Sequence, residues 1–166
     1  SPIFVLDTFK LSSQGVHHKP IHLQRTIDCL KMLNSPILKD EIIHLYDGFK
    51  PSEQDYKIRL QIDPYGLKKT LIKKSTIEQI PQKITLEIAS IKNQLKGLGL
   101  QNYKTNQRAY WDKNLSQKSD KAFDIIGVNT DGYITETSRF NLFLEKDGRL
   151  FTPPLSSGCI NGCLRQ

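Results

Sequence analysis

The sequence has no apolar run approaching the roughly 18 residues of a membrane-spanning helix, so it predicts no membrane segment. It also lacks the basic region and long apolar stretch of a signal peptide, and the missing initial Met suggests processing or trimming. Internal repeats and low-complexity tracts are absent. With 166 residues, 37% of them hydrophobic and 25% charged, the composition excludes wholesale disorder. We therefore expect one large or two small globular domains.

Cysteine and arginine are both scarce. The three cysteines, Cys29, Cys159 and Cys163, are odd in number and have no zinc spacing. They favour a reducing, cytoplasmic compartment with no disulfide framework and no metal site. Only 6 of the 24 basic residues are arginines, and the lysines are scattered despite the net charge of +7. Since nucleic-acid sites usually cluster arginines with aromatic residues, we expect no nucleic-acid partner; salt-sensitive DNA binding is an alternative resting on charge alone.

The first part of the chain predicts a mixture of strands and helices. Apolar residues at Leu23, Ile27, Leu30 and Leu33 repeat with the helical period, and Pro and Gly punctuate the segments around them. We predict strands and helices in this order: a strand at 3–11, helices at 20–33 and 39–46, and strands at 56–62, 67–73 and 83–88.

The second part predicts a mostly-β lobe. A Gly-containing connection at 95–102 separates it from the first part, and Asp131-Gly132 and Asp147-Gly148 are hairpin turn signals. We predict a helix at 104–114, strands at 123–129, 133–136, 140–144 and 150–152, and a helix beginning near Gly162. The expected fold class is α+β, with an α+β lobe over 1–96 and a mostly-β lobe over 97–166.

A few side chains stand out for their chemistry. His22 and Arg25 lie three residues apart at a helix start and share a face. With backbone N–H groups they would form a phosphate or carboxylate site, unless they belong to a solvated helix start. Lys104 follows the Gly-containing connection, and a desolvated lysine is a nucleophile. Glu136 lies at a Thr- and Ser-rich strand end, where an exposed glutamate is the simplest interpretation.

Two C-terminal motifs carry a family resemblance. The segment 131–143 (DGYITETSRFNLF) resembles the signature of fold-type IV pyridoxal-phosphate enzymes, the class IV aminotransferase family. The run 152–158 (TPPLSSG) and the segment 103–108 (YKTNQR) look most like the aminodeoxychorismate lyases of that family. The openings at 6–10 (LDTFK) and 22–25 (HLQR) are similar to its first strand and first helix. The resemblance implies two lobes with pyridoxal 5'-phosphate in the cleft between them, and a homodimer.

The resemblance also implies a role for each matching residue. Lys104 matches the lysine that binds the cofactor aldehyde covalently and later moves protons. Glu136 matches the carboxylate that pairs with the pyridine nitrogen, and Arg25 matches the arginine that grips the phosphate. Cys163 and Leu164 lie at the turn whose backbone N–H groups complete that phosphate site.

Further matches are weaker and concern the substrate and the turn residues. Arg59 lies where related enzymes place a substrate-side arginine, and Thr8 and Lys10 face the substrate pocket if strand alternation holds. Asn141 belongs to the signature, and we interpret it as structural.

The implied activity is that of a 4-amino-4-deoxychorismate lyase, which yields para-aminobenzoate and pyruvate for folate synthesis. Two alternatives stay open: a class IV aminotransferase acting on D-amino or branched-chain amino acids, and a non-catalytic family remnant. Against the first, residues 63–66 (DPYG) lack the arginine that aminotransferases of this group often carry there. For the second, the chain stops at Gln166, where longer family members continue, so we expect an incomplete C-terminal lobe.

Overall fold

The computed structural model describes residues 2–93 and 99–165, which form two compact units. The first unit comprises the chain through Gln79 together with Lys104–Asn106, and the second comprises Ile80–Tyr103 and the chain from Gln107 onward. The lobe boundary expected between 96 and 97 lies outside the described residues, as do residues 95–98 of the expected connection. No helix within the described ranges is both long and apolar enough to cross a membrane.

The first unit is an antiparallel four-stranded sheet with two helices on one face. The strands lie in the order β2-β1-β3-β4. Both helices and β3 form where the sequence predicted them, because the apolar spacing in each matches its period. In chain order the elements are β1 (Val5–Ser12), β2 (Gly15–Val16), α1 (Lys19–Met32), α2 (Lys39–Asp47), β3 (Tyr56–Ile62) and β4 (Leu71–Ser75).

Strand β1 has two faces with different surroundings. Asp7 and Phe9 point to the helices: the Phe9 ring centroid lies 5.7 Å from that of His22 in α1 and 5.6 Å from that of Tyr46 in α2. Leu6, Thr8 and Lys10 alternate with them and therefore point to the opposite face. We call this second face, which the two helices do not cover, the open face of the sheet.

The second unit contains a three-stranded sheet, a hairpin and one helix. Strand β5 pairs with β6 in parallel, and β7 pairs with β6 in antiparallel fashion. In the β8–β9 hairpin, Asp147 and Gly148 both have positive φ, at 52° and 71°, as a two-residue I′ turn requires. This confirms that predicted turn. The elements are β5 (Leu86–Ile88), α3 (Ala109–Leu115), β6 (Asp124–Val128), β7 (Ile134–Thr137), β8 (Leu144–Lys146) and β9 (Arg149–Phe151).

Several predicted bounds were wrong. The helix expected from Lys104 begins at Ala109, because Lys104–Asn106 is extended and pairs with the start of β1. The strand predicted at 67–73 begins only at Leu71, because residues 67–69 form a single 3₁₀ turn before β4. Residues 140–143 are not a strand, because the Phe140 carbonyl accepts the backbone N–H of Thr137 at 2.8 Å and closes a turn after β7.

Candidate active site

Lys104 lies on the open face of the first unit. Thr105 bridges Val5 in antiparallel register, and the Leu6 N–H donates to the Lys104 carbonyl at 2.7 Å. Lys104 therefore lies directly opposite Leu6, and residues paired in this way point to the same face. The Asn106 side chain holds this segment in place by accepting the Phe4 N–H at 2.7 Å. Lys104 is half-buried.

All three predicted substrate-side residues share the open face with Lys104. Thr8 pairs directly with Arg59 across β1 and β3, and Leu6, next to Thr8 on that face, lies opposite Lys104. Lys10 is on the same face, where its Nζ lies 2.7 Å from an Asp55 carboxylate oxygen. The register therefore brings Lys104, Thr8 and Arg59 onto one face, although they are far apart in sequence.

Arg25 of α1 contacts Asp7 on the helix-covered face of β1. Its Nη2 donates to Oδ1 of Asp7, and its side chain is only 12% exposed. His22 Nδ1 lies 3.0 Å from each oxygen of the same carboxylate. The helix start that carries His22 and Arg25 is thus packed against the sheet, and the carboxylate it binds is the chain's own Asp7.

Asp7 was not singled out from the sequence. It is fully buried, at 0% exposure, and it also accepts the Tyr46 hydroxyl at 2.6 Å. Burial raises the pKa of its carboxyl, but the hydrogen bond with His22 and the charge of Arg25 outweigh this effect and lower that pKa far below its usual range. Asp7 is therefore ionised. The available signal was a carboxylate that directly follows the apolar run 3–6 inside the predicted strand 3–11.

In the second unit, Glu136 is held in a defined orientation. It is 6% exposed, so the interpretation as an exposed glutamate was wrong. Asn141 Nδ2 donates to Glu136 Oε2 at 3.0 Å and to the Ile160 carbonyl at 2.9 Å. Asn141 therefore links the end of β7 to the segment 160–162. Its structural role, which we expected, consists in orienting this carboxylate.

The segment that contains Cys163 and Leu164 lies directly beside this link. A Cβ on Gly162 would lie 1.9 Å from Asn141 Oδ1, so only glycine allows the backbone this close to the amide. After Gly162 the chain forms a 3₁₀ turn at Cys163–Arg165. Arg165 anchors it by donating to Thr152 Oγ1 and to the Pro153 carbonyl, each at 2.7 Å.

The comparisons with known proteins identify the family. The profile of the amino-transferase class IV family matches residues 5–166. The chain belongs to that family. A Schizosaccharomyces pombe relative, provisionally named an aminodeoxychorismate lyase, is 26% identical over 154 residues, which are 89% of this chain and 65% of that protein. The chain thus spans just under two thirds of that relative's length.

Solved structures of class IV aminotransferases share the fold. A Mesorhizobium loti protein, provisionally named an amino-acid aminotransferase, matches with a TM-score of 0.85 at 22% identity, over 98% of this chain and 80% of its own. The 4-amino-4-deoxychorismate lyase from Pseudomonas aeruginosa matches with a TM-score of 0.74 at 16% identity, over 98% and 66%. The α+β fold expected from the sequence is therefore confirmed as that of this family.

The family implies pyridoxal phosphate, and the chemistry of these residues fits it. Glu136 is a buried acceptor already oriented by an amide, which suits a protonated pyridine nitrogen. Arg25 is a guanidinium held by a buried carboxylate, and planar guanidinium groups match phosphate oxygens. The 3₁₀ turn at Cys163–Arg165 starts with backbone N–H groups of the kind that bind anions. No cluster of three or more metal-ligating side chains occurs among the described residues.

Proposed function

We propose that this chain is a pyridoxal-phosphate enzyme with 4-amino-4-deoxychorismate lyase activity, forming para-aminobenzoate and pyruvate. The observation that carries the enzyme assignment is the register that places Lys104 on the open face with Thr8 and Arg59. The choice of reaction rests on the Schizosaccharomyces pombe relative, which aligns with 89% of the chain, and on the lyase-like segments 103–108 and 152–158. An aminotransferase is the second candidate, favoured by the Mesorhizobium loti neighbour.

Each residue has a stated role in this proposal. Lys104 would hold the cofactor aldehyde, and its Nζ, when free, would be the base that removes the proton from the substrate carbon bearing the amine. Arg25 and the backbone at Cys163 and Leu164 bind the phosphate. Glu136 keeps the ring nitrogen protonated. The bound cofactor supplies an electron sink for the negative charge that develops on the substrate carbon.

Substrate recognition falls to the open face. Arg59 is exposed and opposite Thr8, so its guanidinium would bind a substrate carboxylate in bidentate fashion while the Thr8 hydroxyl donates or accepts one hydrogen bond. Lys10, already in an ion pair with Asp55, adds positive charge that attracts an anionic substrate. Loss of the enolpyruvyl group as pyruvate then leaves an aromatic ring, and aromatisation drives the reaction.

The first experiment tests the cofactor. The purified protein is mixed with pyridoxal phosphate, its visible absorption is recorded before and after borohydride reduction, and the labelled peptide is mapped by mass spectrometry. We expect a single label on Lys104. Lys104→Ala should lose it, whereas Lys83→Ala, at an exposed lysine of the second unit, should retain it. A folded protein without label at Lys104 would instead support the non-catalytic alternative.

The second experiment separates the two reactions. The loaded protein is given 4-amino-4-deoxychorismate, and para-aminobenzoate is measured by its fluorescence. In parallel, D-alanine or a branched-chain amino acid is added, and conversion of the cofactor to its amine form is followed by absorption. Para-aminobenzoate formation that Arg59→Ala reduces supports the lyase; conversion to the amine form without para-aminobenzoate supports the aminotransferase.

Homodimerisation, which the family resemblance implies, and a cytoplasmic location, which the cysteine pattern favours, are part of the same proposal. Sedimentation at several concentrations tests the first of these directly. A mass of about twice 19.0 kDa is expected for the dimer.

A further inference from the structure

Three side chains from two helices converge on one buried carboxylate of β1 in the first unit. Asp7 of β1 accepts hydrogen bonds from Arg25 and His22 of α1 and from Tyr46 of α2. Behind Tyr46, the Thr26 hydroxyl lies 2.8 Å from the phenol oxygen. Because the Tyr46 proton goes to Asp7, Thr26 donates to Tyr46, and the hydroxyls form a directed chain from Thr26 to Asp7.

Stability alone is a poor explanation for this cluster. Removing a guanidinium and a carboxylate from water costs so much that apolar replacements of buried ion pairs are often neutral or stabilising. An ionised, fully buried carboxylate can instead orient the group that it binds. Because Tyr46 and His22 hold Asp7 in place, the guanidinium of Arg25 has a fixed acceptor for its Nη2. A fixed guanidinium does not have to be ordered when an anion arrives, which lowers the cost of binding.

We propose that Asp7 and Tyr46 are positioning residues, which set the orientation of the Arg25 guanidinium for the cofactor's phosphate group. The inference rests on the proposed function, in which Arg25 binds that phosphate. Asp7 also lies between Leu6, which pairs with Lys104, and Thr8, which pairs with Arg59. Strand β1 therefore carries Asp7, which binds Arg25, and also Leu6 and Thr8, which pair with Lys104 and Arg59 on the open face.

The test measures phosphate recognition separately from covalent attachment. The probes are 4'-deoxypyridoxine 5'-phosphate and 4'-deoxypyridoxine, which lack the aldehyde and cannot react with Lys104. Their dissociation constants are measured by quenching of the Trp111 fluorescence or by calorimetry, and their ratio is the phosphate selectivity. We expect Asp7→Asn to lower this selectivity about tenfold and Tyr46→Phe, which keeps the ring but removes the donated proton, about threefold.

Affinity for the probe without phosphate should stay unchanged in both variants, because neither residue contacts the ring in this scheme. A general loss of structure would weaken both probes alike. Lys19→Gln is the matched control, since it removes an exposed ion pair of the same helix with Asp47 and should leave the selectivity unchanged. If Asp7→Asn does not fold, Tyr46→Phe decides the question.

Two negative results have different meanings. A wild-type protein that prefers the phosphorylated probe, with Tyr46→Phe showing equal selectivity, overturns the positioning role and leaves the proposed function standing. A wild-type protein without phosphate selectivity overturns the role of Arg25, and the inference falls together with that part of the proposed function.

Discussion

The contact between Gly162 and Asn141 makes the sharpest prediction about the second unit. In Gly162→Ala the new Cβ would lie 1.9 Å from Asn141 Oδ1 and 3.0 Å from its Cγ. Backbone and amide cannot both stay in place, so Asn141 must leave Glu136, the Ile160 carbonyl, or both. Each hydrogen bond contributes about 1 kcal/mol, and forced overpacking costs about 1–3 kcal/mol. We expect a total loss of about 2–3 kcal/mol in the free energy of unfolding.

Urea unfolding measures this loss, and the melting temperature should fall by roughly 4–12 °C for a protein of this size. Gly66→Ala is the matched control. No atom lies within 4 Å of a Cβ at that position, and its φ of −175° is open to any residue. Its free energy of unfolding should stay within about 0.5 kcal/mol of the wild-type value.

A double-mutant cycle tests the cause. In an Asn141→Ala background the atoms that the Gly162→Ala methyl would meet are absent, so the glycine substitution should cost at least about 1 kcal/mol less than in the wild type. Additive effects of the two substitutions would refute the reasoning, because the damage would then not pass through the amide. Among these variants, the one that loses more free energy of unfolding should also bind 4'-deoxypyridoxine 5'-phosphate and 4'-deoxypyridoxine more weakly.

Three further results are expected. Asp7 contributes stability above its unfolded pKa of about 3.9 that is lost as the pH falls below that value, so Asp7→Asn should flatten the stability profile between roughly pH 5 and 2 in urea titrations. Burial raises the pKa of Cys29 to about 12; iodoacetamide at pH 8 should therefore label Cys163 first, and rapid labelling of Cys29 in folded protein would contradict its burial. In Gly127→Ala the new Cβ would lie 2.6 Å from the Trp111 ring. We expect a loss of about 1–3 kcal/mol in the free energy of unfolding and a shift in the tryptophan emission, and unchanged values of both would contradict this contact.

The elements that the sequence predicted well have local causes. Helices α1 and α2 and strand β3 carry apolar residues at the period of their own secondary structure, and the Asp147-Gly148 turn needs only two residues that tolerate positive φ. The signature at 131–143, and the family that it indicates, could also be recognised from local sequence, because the residues of a motif are adjacent in the chain. These features were readable before any tertiary contact was known.

The errors arose where a distant partner decides the conformation. Residues 104–106 looked like the start of a helix, but they extend because the start of β1, about a hundred residues earlier, offers backbone partners. Glu136 looked exposed because nothing beside it in sequence shows that Asn141 and the segment 160–162 cover it. Asp7 was not singled out, because its partners Arg25, His22 and Tyr46 lie 15 to 39 residues away in the sequence.

The sequence by itself determined the family, the order of most elements and the residue types that could serve the cofactor, since all of these depend on local spacing and on motifs. Only the tertiary structure decided which residues lie together: Lys104 with Thr8 and Arg59 through strand register, Arg25 with Asp7 through helix packing, and Glu136 with Asn141 through a hydrogen bond. The physical reason is that register, burial and the pairing of buried charges depend on residues far apart in the chain, and they are settled only when those residues pack together.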